Sequence, residues 1–263
     1  MSLFRKSIAS VYVKELKKRL DPLIVPIFTP DTNLEVGAFG SFEDGRFVRK
    51  GNVTAKGVSF NVSRKPVGAF DFASSGKVTM GPSVTLPSPT GGGDLVSATI
   101  TFSKSQAVVL SFKDGEEAVV DDADVFGDAL MRLWLGNELR RDRAVVWSVR
   151  TAAGGTVIAS EQGDSAIDVM ADAAALGSAG LSLPNLNVGV QFANERKSAW
   201  KMSEPDVAMT VWVRLLRVGK AQADDAFNFE PGSDELEQAA AEHSPASVSV
   251  DELIENIEAP ALT

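Results

Sequence analysis

The spacing of apolar positions changes along the chain, and each change marks an element. From Leu3 to Leu20, the residues Leu3, Phe4, Ile8, Val11, Leu16 and Leu20 recur near helical spacing with basic residues between them, which predicts an amphipathic basic helix. Such a helix suits packing on a sheet or lying on an anionic membrane surface. Asp21-Pro22 stops it, because the residue before a proline is driven out of the helical region. From Leu23 to Phe112 the pattern is one of strands. Leu23 to Phe28 is a short apolar run, Arg46 to Lys50 a strand candidate, and Val58, Phe60 and Val62 alternate with polar residues. Strand-length segments follow over Val67 to Phe72 and Lys77 to Leu86, and Pro87 to Gly93 reads as a flexible loop. Val96, Ala98, Ile100 and Phe102 alternate, as do Val108, Leu110 and Phe112. The polar Ser103 to Gln106 between them predicts a turn that joins the two as a hairpin.

Helical spacing returns over Asp121 to Leu139, with Val125, Phe126, Ala129, Leu130, Leu133 and Trp134 on one side. Acids lead this helix and Arg140 and Arg141 follow it, as the helix dipole favours. Arg143 to Thr151 reads as a buried strand centred on Val145-Val146-Trp147. Thr156 to Met170 and Leu181 to Trp200 show partial alternation around the small-residue stretch Ala171 to Gly180. Asp206 to Val218 is the clearest strand, with Val207, Met209, Val211, Val213 and Leu215 on one face. The fold class is therefore α+β: a long, twisted, mostly antiparallel β-sheet with an N-terminal basic amphipathic helix and a central helix.

Composition narrows the chemistry. Of 263 residues, none is cysteine and only His243 is histidine, which leaves no disulfide, no thiolate zinc site and no cysteine nucleophile. No apolar run approaches the roughly 18 residues of a membrane-spanning helix, and no secretory signal opens the chain, so the expected compartment is the cytoplasm. Gly76-Lys77-Val78-Thr79 fails as a phosphate loop because Asp71 stands where a glycine is required. Asp121, Asp122 and Asp124 lack the glycine and distal glutamate of a calcium loop. No catalytic residue, cofactor site or metal site is expected, and a hydrolase built on paired carboxylates finds no constellation to support it.

Charge divides the chain into two parts. After Lys220 there is no Lys or Arg and there are eleven acids, so residues 1–220 carry a balance of +2 and residues 221–263 one of −11. The first twenty residues invert this, with Arg5, Lys6, Lys14, Lys17, Lys18 and Arg19 against Glu15 alone. These basic residues are candidate contacts for anionic membrane lipids. A body so near neutrality is no nucleic-acid binder. Most of the tail has the composition of a flexible segment. Ser249-Val-Asp-Glu252, however, has capping-box spacing, and Leu253, Ile254 and Ile257 then form a small apolar face.

In order, the segments resemble the pore-forming region of the gasdermin family, and the length suits its bacterial members. Met1-Ser-Leu-Phe-Arg-Lys through Lys17-Lys-Arg-Leu-Asp-Pro-Leu-Ile-Val-Pro resembles the opening basic helix and first strand. Asp124 to Leu139 followed by Arg143-Ala-Val-Val-Trp-Ser-Val-Arg150 resembles the middle helix and the strand after it, and Leu181 to Lys201 with Asp206 to Val218 the closing hairpin and strand. The chain departs from some bacterial members in having no N-terminal cysteine to carry a lipid. The resemblance implies a pore-forming domain over 1–220 and an inhibitory segment over 221–263. A protease would release the body, which would form a homo-oligomeric β-barrel pore in the inner or plasma membrane during regulated cell death or antiphage defence. On this view the membrane strands are drawn from Val58 to Met80, Ala98 to Phe112 and Thr156 to Phe192. Candidate cleavage positions are Lys220, Asp224 and Asp225, and Leu253, Ile254 and Ile257 are the candidate inhibitory contact. The alternative is a soluble α+β binding module whose acidic tail recruits a basic partner.

Overall fold

Backbone pairing sorts the chain into three antiparallel sheets and few helices, an α+β fold. The computed structural model describes residues 2–21, 23–28, 34–43, 46–87, 93–140, 142–176, 180–197 and 199–216, with the side chains of 2–7 outside the description. Helix α1 (Ser2–Lys17) leads to β1 (Ile24–Pro26), β2 (Ala38–Glu43) and β3 (Arg46–Asn52). A first arm follows, made of β4 (Val62–Val67), β5 (Phe70–Ala73), β6 (Val78–Met80) and β7 (Val84–Leu86). The second arm comprises β8 (Leu95–Phe102), β9 (Ala107–Phe112) and β10 (Gly115–Val120). Helix α2 (Ala123–Leu135) connects it to a third arm of β11 (Ala144–Ala152), β12 (Gly155–Ser160) and β13 (Ser165–Asp172). After the short α3 (Ala173–Leu176) and a 3₁₀ segment, Leu183–Val188, the fourth arm runs through β14 (Gln191–Arg196), β15 (Trp200–Glu204) and β16 (Met209–Leu216).

The register shows that these arms are two long hairpins lying side by side. In the first, Val62 faces Val120, Phe70 faces Phe112, Val78 faces Phe102 and Leu86 faces Leu95. In the second, Ala152 faces Met209, Gly155 faces Glu204 and Met170 faces Gln191. Between the hairpins the second and third arms keep one offset from end to end: Gly115 faces Ala152, Phe112 faces Gly155, Phe102 faces Ser165 and Leu95 faces Asp172. This four-arm ribbon is bent twice, so it is divided among a large sheet (β1-β16-β11-β10-β4, with β2 on β11 and β3 on β2), a middle sheet (β15-β12-β9-β5) and an outer sheet (β14-β13-β8-β6, with β7 on β8).

Several expectations change here. Ser103 to Gln106 does not reverse the chain: β8 and β9 follow one another along a single arm and pair with β13 and β12, not with each other. Gln106, at φ 55°, kinks the path from one sheet into the next while the partner arm stays the same. Val58 and Phe60 precede the strand, which begins at Val62, and the segment predicted over Val67 to Phe72 breaks at Gly68. The segment over Lys77 to Leu86 divides into β6 and β7 around Gly81-Pro82-Ser83, where a proline offers no N–H to the ladder. Val207 lies outside β16 and is exposed, while β16 is buried on both faces between β1 and β11.

Three apolar clusters hold the layers. α2 starts at Asp122, whose side chain accepts from the Val125 N–H, and packs Phe126, Leu130, Leu133 and Trp134 on the large sheet. Val125, predicted on that face, points to solvent. The middle sheet is covered twice. Ile8, Tyr12 and Leu16 of α1 meet Val108, Leu110, Phe112, Val157 and Ala159 on one face, and the outer sheet covers Ala107, Val109 and Ile158 on the other. Hence β9 and β12 are buried at every position, where a half-solvated strand would alternate.

Candidate functional site

The outer sheet has two unlike faces. Val96, Ala98, Ile100 and Phe102 of β8 and Ile167, Val169 and Ala171 of β13 are buried against the middle sheet, with Leu181, Leu186 and Val190 beside them. The opposite face carries Ser97, Thr99 and Thr101 with Ala166, Asp168 and Met170. There the Thr99 hydroxyl donates to Asp168 Oδ1 at 2.7 Å and the Asn194 amide to its Oδ2 at 3.1 Å. Period-2 alternation thus gives this part of both hairpins one apolar and one polar surface.

The two bends of the ribbon differ in construction. At the bend between the large and middle sheets, backbones approach so closely that a Cβ on Gly154 would stand 2.1 Å from the Pro205 carbonyl oxygen, and one on Gly115 2.0 Å from that of Thr151. The Arg150 guanidinium fastens this bend, donating to the Gly68 carbonyl at 2.6 Å and lying 4.4 Å over the Trp212 ring. At the bend between the middle and outer sheets each arm turns through a residue in the left-handed region: Gly76 (φ 64°), Gln106 (55°), Asp164 (55°) and Lys197 (62°). Side chains tie this bend together. The Ser160 and Ser165 hydroxyls are 2.7 Å apart, and Lys197 Nζ donates to the Gly163 carbonyl at 2.8 Å.

α1 reaches this second bend through a buried carboxylate. Glu15 is 3% exposed, on the helix face against the middle sheet, and accepts from Lys18 Nζ and, at 3.0 Å, from Lys77 Nζ. Lys77 Nζ also donates to the Gln106 carbonyl at 2.7 Å. Burial works to raise the Glu15 pKa, but hydrogen bonds from Lys18, Ser74 and Lys77 outweigh it and hold the carboxyl below the usual glutamate range. Desolvation pushes the fully buried Tyr12 hydroxyl up.

Of the predicted lipid contacts, Lys14, Lys18 and Arg19 are exposed and Lys17 is half-buried, with Lys18 engaged by Glu15. The side chains of Arg5 and Lys6 lie outside the described residues, as do Lys220, Asp224, Asp225, Leu253, Ile254, Ile257 and most of the Pro87 to Gly93 loop. The sequence patterns missed Glu15, Ser74 and Lys77; the one available signal was a lone acid on the apolar face of a basic helix. Among the described residues no three His, Cys, Asp or Glu side chains gather as a metal site, and no helix is long and apolar enough to cross a membrane. The chain matches no protein-family model and no curated protein.

Proposed function

We propose that this protein is a gasdermin-like pore former without catalytic residues, held inactive by residues 221–263 and released by proteolysis near Lys220, Asp224 or Asp225. The observation that carries the reading is the pair of long hairpins in adjacent register, whose outer-sheet strands have one apolar and one polar face. A membrane β-strand needs about 9 to 11 residues of such alternation, with lipid on one side, water on the other and every backbone group paired in a closed ring. β8 and β13 have eight residues each and continue across the bend into β9 and β12. In the soluble form the apolar face lies against the middle sheet; in the pore it would face lipid. Release of the acidic tail leaves a body of balance +2, suited to an anionic bilayer together with Lys14 and Arg19.

The test is dye release from vesicles of phosphatidylglycerol and phosphatidylcholine, using the full chain with a specific protease site inserted after Lys220. Leakage is expected only after cutting. A cut protein that remains folded and leaves the vesicles intact would refute the pore reading and favour the soluble module whose tail of −11 recruits a basic partner.

A further inference from the structure

Every arm of the ribbon is interrupted at the same level, over Ser74–Lys77, Ser103–Gln106, Glu161–Asp164 and around Lys197, and each interruption contains a left-handed residue. Three of those four residues are not glycine, so the backbone is held where their side chains disfavour it. Only here do the strands pass from the middle sheet to the sheet folded over it. The other bend is packed backbone on backbone and fastened by Arg150, whereas this one joins its arms by the Ser103 N–H to the Lys77 carbonyl at 2.9 Å and the Gln106 N–H to the Glu161 carbonyl at 3.3 Å, and adds side-chain ties. One of those holding groups comes from outside the ribbon: Glu15 of α1, which reaches Ser74 and Lys77 on either side of Gly76.

A buried carboxylate is a poor way to gain packing energy. A leucine at position 15 would cover the same sheet without desolvating a charge, and buried ion pairs contribute specificity or switching more readily than stability. We propose that the contact of Glu15 with Lys77 and Ser74 is the pin of a hinge, and that the ribbon straightens along this line when the pin is released. α1 and the outer sheet clamp opposite faces of the middle sheet, so the pin couples departure of the helix to unfolding of the bend. The membrane consequence rests on the pore reading above: once straight, β8–β9 and β12–β13 become continuous strands and the apolar face of the outer sheet is uncovered. Displacement of the tail is then the first step of insertion, and release of the pin on the bilayer the second.

The pin is tested without a membrane, by hydrogen exchange on the full-length chain. In Glu15→Gln, exchange over residues 8–20, 74–80 and 103–108 is expected to quicken at least about tenfold, the scale of one buried charge-assisted hydrogen bond, while β11 and β16 keep their protection. Lys77→Met is expected to give the same pattern and replaces Glu15→Gln should that variant not fold. Because the chain has no cysteine, Ser160→Cys with Ser165→Cys makes a clean lock. A disulfide needs its Cα atoms within about 7 Å, whereas five extended residues span about 16 Å, so the oxidised bend stays closed. Oxidation in the Glu15→Gln background is expected to restore the lost protection. Exchange unchanged by Glu15→Gln, acceleration spread over all three sheets, or failure of the lock to restore protection would each overturn the proposal. On vesicles, the cut and oxidised double-cysteine chain should stay silent and leak on reduction. Leakage while oxidised defeats the hinge and leaves the pore reading standing; silence of the cut wild-type chain defeats the pore reading, and the exchange result still decides the hinge.

Discussion

Glu15 is the residue at which stability and pH meet. Its folded pKa is depressed, so its ionised form is favoured in the native state and contributes stability above the unfolded value, near 4.5. That contribution is lost as pH falls through the ordinary glutamate range to the lower folded value. The groups facing it are Lys18 on its own helix and Ser74 and Lys77 across the interface. Denaturant midpoints measured from pH 7 down to 3 should therefore fall more steeply for wild type than for Glu15→Gln; parallel curves would show that the carboxylate contributes nothing. Glycines give a second contrast. Gly154→Ala places its Cβ against the Pro205 carbonyl, where only backbone movement relieves it, and should cost about 1–3 kcal/mol. Gly127→Ala lies mid-helix in α2 with no atom beyond its own helix backbone within 4 Å of the new Cβ, and should gain about 0.5–1 kcal/mol from helix propensity. Urea titration of the pair decides between them, and a loss at Gly127 would contradict the packing described for α2.

Among elements, α2 shows what periodicity can and cannot decide. Phe126, Leu130, Leu133 and Trp134 fall on one stripe and are buried, and Asp122 caps the helix as the leading acids suggest. Val125 borders the same stripe yet is 61% exposed, because a stripe predicts a direction and the sheet beneath sets its width. Leu130→Ala should cost about 2–5 kcal/mol and Val125→Ala less than about 0.5 kcal/mol, both read from thermal or urea unfolding. Most strands were legible as strands, and the mixed α+β class with them; β2 and β10 were not, because neither carries a sustained apolar alternation. Their connectivity was not. A polar tetrapeptide such as Ser103 to Gln106 suits a reversal and a bend equally, and the pairing that separates them lies in residues 155–172. Burial of β9 on both faces likewise depends on α1 and β8, which no local window contains. Glu15 and Lys77 are 62 positions apart, so their contact was out of reach of any spacing rule.

At the scale of the molecule, the proposed function sets two restraints on one ribbon. The pin holds the second bend, and the tail would hold the body away from lipid, by charge or through the apolar residues Leu253, Ile254 and Ile257. These two modes of tail inhibition separate experimentally. A balance of −11 on the tail against +2 on the body acts over a Debye length, about 10 Å at 0.1 M salt and about 3 Å at 1 M, so a purely electrostatic restraint weakens as salt rises. A docked apolar face is strengthened by kosmotropic salt and is lost when its side chains become charged. Replacing all three residues by Asp makes the tail still more acidic. Electrostatic masking then predicts tighter inhibition, and apolar docking predicts leakage from the uncut chain. We expect leakage, because Ser249 to Glu252 has capping-box spacing and a helix running on from it would set Leu253, Ile254 and Ile257 on one side, an apolar face that charge masking alone does not require. Continued silence of the uncut triple variant, with normal leakage after cutting, would assign the restraint to charge alone, and inhibition should then fade as sodium chloride is raised.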